Sequence, residues 1–177
     1  MAILIRPPVQ CRPGPVPDMR ILHISDLHLD VAWGTVPLRA WLSKRLIGGA
    51  NLLFGRGKAY AEAHEKIPLL ERFRSEIDAP FVICTGDFTA LGTEKELRSA
   101  REAVGPLLDA PAGSASVPGN HDFYAFDTWR KRRFEHYFGD SLRTDLPEYR
   151  VEGSPWPYVR LLGNDVAIVA VNSAAPR

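Results

Sequence analysis

The chain predicts an α/β fold built on a parallel sheet, and three observations carry that prediction. Short apolar runs at Ile21 to Ser25, Pro80 to Cys84 and Ser114 to Val117 each stop abruptly in polar residues, as buried strands do at a surface edge. The segments before the second and third runs repeat apolar residues at helical spacing, so the order is strand, helix, strand, helix, strand. A composition of 45% hydrophobic and 24% charged residues over 177 positions supplies one globular domain with a core.

Taken in order, residues 1–18 carry five prolines, Pro7, Pro8, Pro13, Pro15 and Pro17, and follow no period. Such a stretch neither pairs as a central strand nor continues a helix, so it reads as a disordered leader. Met19 stands directly before the first strand, and an upstream misassigned start is the simpler explanation of the leader. Residues 31–58 mix Trp33, Trp41, Leu46, Ile47, Leu52, Leu53 and Phe54 with Lys44, Arg45 and Arg56. This stretch suits a substrate lid, a peripheral membrane contact or an insertion packed on its own domain.

Ala63, Ile67, Leu70, Phe73 and Ile77 mark one helical face, with Pro68 starting a fresh helix or bending a longer one. Thr93-Glu94-Lys95-Glu96 is a capping box for a helix buried through Leu97, Ala100, Val104 and Leu107, which Pro106 should kink or end. Residues 124–138 read as one helix, with Asp127 as N-cap and Phe126, Trp129, Tyr137 and Phe138 on one side. Tyr158 to Leu162 and Val166 to Val171, joined by Gly163-Asn164-Asp165, form a hairpin. Its second strand has no polar side and should be buried on both faces.

Charge and cysteine content narrow the function classes. Lys plus Arg number 22 against 21 Asp plus Glu, a net +1, so no overall field gathers nucleic acid or an anionic membrane. Cys11 and Cys84 lie far apart, unlike the dense pattern of a disulfide scaffold. No apolar stretch approaches the ~18 residues of a membrane span, and Arg6-Pro7-Pro8 interrupts any signal peptide. A cytoplasmic protein in a reducing compartment is expected.

The chemistry sits at the strand ends, where open α/β sheets bind their ligands. Asp26 and His28 are two apart, so on an extended backbone they point to one side and can share a cation. Asp87 follows Gly86 at the second strand end, where a tight turn lets the carboxylate bridge two ions. After the third strand, Asn120 offers a carbonyl oxygen to a second ion, followed by His121 and Asp122. A given tetrapeptide such as Gly-Asn-His-Asp arises by chance in on the order of one chain in a thousand at this length. Three such clusters in order, each after a strand, make coincidence a poor explanation.

On these motifs residues 19–175 resemble the calcineurin-like metallophosphoesterase superfamily, with Asp-x-His, then Gly-Asp, then Gly-Asn-His-Asp. The resemblance implies a four-layer α/β/β/α sandwich and two divalent metal ions, for which a mixed Asp, Asn and His shell favours Mn, Fe or Zn. By it, Asp26 and His28 bind one metal, Asp87 bridges both, Asn120 binds the other, and His121 assists the leaving oxygen with support from Asp122. The implied activity is hydrolysis of a small phosphodiester or phosphomonoester, and the Gly-Asp-Phe-Thr-Ala-Leu-Gly and Gly-Asn-His-Asp runs are nearer the phosphodiesterase branches. Thr89 and Gly92 in that run read as turn geometry.

The family's downstream Gly-His-x-His is absent; after His121 the remaining histidine is His136, in Arg-Phe-Glu-His-Tyr-Phe on an expected helix, where it reads as packed or surface-exposed and not as a ligand. The chain is therefore expected to be the N-terminal portion of a longer domain, with the C-terminal half missing. Its four protein ligands would hold metal weakly or singly. The alternative is a truncated or degenerate member that does no catalysis and serves as an interaction module. His23 is expected to be packed or hydrogen-bonded near the sheet, His64 to be a solvent-facing helix residue, and the run Trp129 to Arg133 to be a solvated face.

Overall fold

The computed structural model describes residues 19–29, 63–124 and 126–174. The expected leader and the stretch 31–58 lie outside them. Strands β1 (Ile21–Ile24), β2 (Phe81–Cys84) and β3 (Ser114–Ser116) form a sheet in the order β1-β2-β3. All pairings are parallel, with Ile21 beside Phe81 and Val82 beside Ser114. Leu22, Ile24, Phe81, Val82, Cys84 and Ala115 are buried, which accounts for the unbroken apolar runs.

Helix α1 (Ala63–Glu76) precedes β2 and runs through Pro68. Ala63 and Ile67 are buried, and Leu70 and Ile77 pack partly buried against the core, but Phe73 is 49% exposed. Helix α2 (Glu94–Leu108) opens with the expected capping box. Thr93 Oγ1 accepts from the Glu96 N–H at 3.2 Å, and Glu96 Oε2 accepts from the Thr93 N–H at 2.7 Å. The other Glu96 oxygen accepts from the Leu91 N–H at 3.1 Å, so a buried carboxylate satisfies two backbone donors of the loop as well as closing the helix end. Leu97, Ala100, Val104 and Leu107 are all fully buried, and the helix continues two residues past Pro106.

The expected single helix over 124–138 is two, α3 (Phe126–Arg130) and α4 (Arg133–Phe138). Arg132 between them has φ 48°, a left-handed conformation that interrupts the right-handed ladder, and its guanidinium donates to the Gly153 carbonyl at 3.0 Å. Because α3 begins at Phe126, Asp127 lies in its first turn and is not the N-cap. Phe134 and Phe138 of α4 are fully buried and stack at 4.6 Å between centroids, whereas Trp129 is exposed.

Strands β4 (Tyr158–Leu162) and β5 (Val166–Ala170) form the expected antiparallel hairpin, pairing Tyr158 with Ala170. Side chains from β4 reach the backbone of β3. The Tyr158 hydroxyl donates to the Ser116 carbonyl, and Arg160 Nη1 donates to the Ser114 carbonyl at 3.0 Å. The Arg160 guanidinium also lies 5.6 Å from the Phe81 ring centroid. β5 is not buried on both faces: exposure alternates along it, and Val169 is 60% exposed. Among the described residues it pairs with β4 alone and turns one face to the core, so an all-apolar sequence does not guarantee two covered faces. Among the described residues no helix is long and apolar enough to cross a membrane.

Candidate metal centre

Three loops leave the carboxyl ends of the parallel strands side by side, and backbone hydrogen bonds zip the first two together. The Asp26 N–H donates to the Gly86 carbonyl at 3.1 Å, that of His28 to Asp87 at 2.8 Å, and that of Leu29 to Phe88 at 2.7 Å. This pairing holds an uncommon conformation. Asp26, His28 and Asp87 have φ values of 56°, 47° and 52°, the left-handed region that non-glycine residues avoid at a cost of roughly 1 kcal/mol or more each. The expected extended backbone at Asp26 and His28 is therefore overturned: side chains two apart converge here because both residues are left-handed.

Glycines set the spacing. Gly86 has φ 94°, and a Cβ there would collide with the Gly119 backbone. A Cβ on Gly119 would in turn overlap the carboxylate and backbone of Asp87. The second and third loops thus touch through two residues without side chains, which brings Asp87 beside the Gly119-Asn120-His121 segment.

Buried phenylalanines anchor the same loops one residue from the polar groups. Phe88, directly after Asp87, lies 4.5 Å from Phe138 and 5.8 Å from Phe134 between centroids. Phe123, directly after Asp122, packs 5.3 Å from Trp129 and 6.1 Å from Phe134. Burying each ring contributes about 2–3 kcal/mol, enough to hold a strained loop against local opening.

The donors converge as follows. Ligand-competent atoms of His28, Asp87 and His121 lie within 4.8 Å of one another. His28 Nε2 is 3.8 Å from Asp26 Oδ1 and 4.0 Å from Asp87 Oδ2. Two donors each about 2.1 Å from one ion stand no more than about 4.2 Å apart, so the His28–Asp26 and His28–Asp87 separations fit a shared cation, whereas the 4.8 Å span that includes His121 is wider than one ion bridges. Nitrogen and carboxylate donors together suit a transition ion. Asp26 is 67% exposed and joins the group through His28. Asn120 is exposed beside His121.

Hydrogen bonds fix the roles of individual atoms. Asp87 Oδ1 accepts from the His121 N–H at 2.9 Å, and its other oxygen is the one nearer His28. His121 Nδ1 is 2.8 Å from the Ala90 carbonyl, which can only accept, so Nδ1 carries the proton and Nε2 is left for a ligand. The His121 ring meets His28 edge-on at 4.8 Å and stacks with Tyr124 at 5.6 Å. Burial, then the neighbouring His121, hold the His28 imidazole below its ordinary pKa, against the opposing pull of Asp87, the Thr89 backbone and Asp26. A neutral ring is the form that binds metal.

Asp122 does not touch the His121 ring, where the Ala90 carbonyl stands. Fully buried, its carboxylate accepts from the backbone N–H groups of Phe88 at 3.3 Å, Thr89 at 3.0 Å and Gly119 at 2.9 Å, and from Thr89 Oγ1 at 2.9 Å. It clamps the second loop to the third, so its support of His121 is indirect. Burial pushes its pKa up to about 6, against the opposing hydrogen bonds from Gly119, Thr89 and Phe88. Thr89 Oγ1 also accepts from the Gly92 N–H at 3.2 Å, and Gly92 has φ 64°, the turn geometry expected of both.

The remaining histidines lie elsewhere. His23 shares a 2.9 Å hydrogen bond with Thr85 Oγ1, His64 is exposed on α1, and His136 is exposed on α4 against Tyr137. Of the basic run, Arg130, Lys131 and Arg132 are exposed, whereas Arg133 is largely covered and 3.9 Å from Glu94.

The model of the calcineurin-like phosphoesterases matches residues 19–173, and the chain belongs to that family. No curated protein and no solved structure gives a match.

Proposed function

We propose that the protein is a metal-dependent phosphoesterase that hydrolyses a small phosphodiester or phosphomonoester. The observation that carries this reading is the convergence of His28, Asp87 and His121 at the carboxyl ends of adjacent parallel strands, in a chain of this family. Asp26, His28, Asp87 and Asn120 would hold two divalent ions, Mn, Fe or Zn, with Asp87 shared between them. When bound, such ions supply a water of lowered pKa and neutralise charge on the phosphoryl oxygens.

The chain's own residues do the rest. Asp87 keeps one oxygen on the His121 N–H and presents the other toward His28, which fixes the carboxylate in one orientation. The Ala90 carbonyl holds the His121 ring with Nε2 turned to the site, where the nitrogen can bind a phosphate oxygen or, protonated, donate to the departing one. Asp122 keeps the two loops in register, and the zipped backbone keeps Asp26 and His28 in place before any ion arrives. The parallel sheet and the β4-β5 hairpin are read as portions of the two facing sheets of a four-layer sandwich. A cytoplasmic setting is part of this reading, on the sparse and widely separated cysteines, Cys11 and Cys84.

The test is hydrolysis of bis(p-nitrophenyl) phosphate and p-nitrophenyl phosphate by the purified chain in Mn²⁺, with bound metal counted on the same sample. Metal-dependent turnover is expected, abolished by chelation. A chain that binds no transition metal and turns over neither ester would favour an interaction module instead.

A further inference from the structure

A cleft of about 520 Å³ opens beside Asp26, lined by Leu27, Leu69, Leu70 and Phe73 together with Lys66. Asp26 lines this cleft and stands 3.8 Å from His28 Nε2 of the metal-competent cluster, so the two adjoin at that residue. The lining is mostly apolar although it adjoins the polar metal-competent cluster. Leu69 is 63% exposed and Phe73 49% exposed, on a helix whose other apolar residues face the core. Apolar surface left open next to a reaction centre is a recognition surface more often than a packing fault. The cleft is also of the size that takes a small ligand.

Resting on the phosphoesterase reading, we infer that this cleft receives the apolar alcohol portion of the substrate, which makes the substrate class phosphoesters of a hydrophobic alkyl or aryl alcohol. A phosphoryl group held at His28 and Asp87 carries at least one ester oxygen, and its substituent must leave the polar site in some direction. Past Asp26 that direction is the cleft. Leu27, Leu69, Leu70 and Phe73 remove the hydrocarbon from water. Each methylene covered adds about 0.8 kcal/mol, close to fourfold in affinity, and an open cleft covers only part of a chain.

Two readouts on the Mn²⁺-loaded protein separate this inference from the reading beneath it. Calorimetric binding of octyl phosphate against methyl phosphate needs no turnover. kcat/KM for p-nitrophenyl octyl phosphate against p-nitrophenyl methyl phosphate compares two diesters with the same leaving group. The expected octyl preference is about tenfold or more in both, collapsing in Leu69→Ser and Phe73→Ser and unchanged in Val169→Ser, an exposed apolar residue on the distant hairpin. Thermal melts confirm that each variant is folded. Octyl preference in binding without any turnover would sustain the cleft and overturn the hydrolase. Turnover with no octyl preference would overturn the cleft and sustain the hydrolase. Loss of both, or a change in sedimentation of Phe73→Ser with no change in octyl binding, would assign the patch to self-association and overturn the inference.

Discussion

Tyr158 and Ser116 exchange two hydrogen bonds: the phenol donates to the Ser116 carbonyl at 2.7 Å and accepts from the Ser116 N–H at 2.6 Å. Both residues are fully buried. One side chain thereby satisfies both backbone groups at the end of β3, the strand that leads into the Gly119-Asn120-His121 loop.

Tyr158→Phe keeps the ring and strands both groups without a partner. The expected loss is about 2–4 kcal/mol of unfolding free energy, read from urea titration, because each buried unsatisfied backbone group costs about 1–3 kcal/mol. A loss under half a kcal/mol would mean that water reaches Ser116 and that the hairpin is not pinned there.

Asp122→Asn replaces an acceptor of four hydrogen bonds by a group whose amide end faces donors, so destabilisation of about 2–4 kcal/mol is expected at neutral pH. The pH dependence follows from the raised pKa. Its folded value of about 6 exceeds the ordinary 3.8, so the folded state holds the proton more tightly than the unfolded state. The stabilisation is full below about pH 4 and lost as pH rises through about 6. For metal-free protein, the stability of the wild type relative to Asp122→Asn should fall by about 2 kcal/mol between pH 4 and pH 7. A flat difference across that range would show that Asp122 keeps its ordinary pKa in the fold.

Gly119→Ala should disrupt metal binding while leaving the core intact, since the added Cβ would overlap the Asp87 carboxylate. Affinity for Mn²⁺ is expected to drop by about tenfold or more, the scale of losing a group that orients a metal-binding carboxylate. Gly163→Ala is the comparison. It has φ 61° and open space around it, so it should lose about 1 kcal/mol of stability from strain and no metal affinity. Equal metal affinity in the two variants would contradict the close contact between the second and third loops.

Much of this arrangement was legible in the chain. The strands, the Thr93 capping box and the hairpin announce themselves through runs and short-range chemistry, which depend on neighbours in sequence. Asp26 and His28 do not stand on the extended backbone that their spacing suggests, because left-handed backbone at a non-glycine residue leaves no local signal and is imposed by the pairing with Gly86 and Asp87. Arg132 split a helix for the same reason. Phe73 fits the helical period and is nonetheless exposed, since periodicity marks a face without saying what covers it. The Ala90 carbonyl behind His121 and the bond from Tyr158 to Ser116 join segments far apart in sequence, which no local pattern marks.

The central claim is that Asp87 organises a metal centre between three strand ends. Calorimetric titration of Mn²⁺ into metal-free wild type and Asp87→Asn tests it most directly, with circular dichroism to confirm that both are folded. The account predicts saturable binding by the wild type and a loss of about tenfold or more in affinity in a folded Asp87→Asn. Unchanged affinity and stoichiometry in the variant would contradict it.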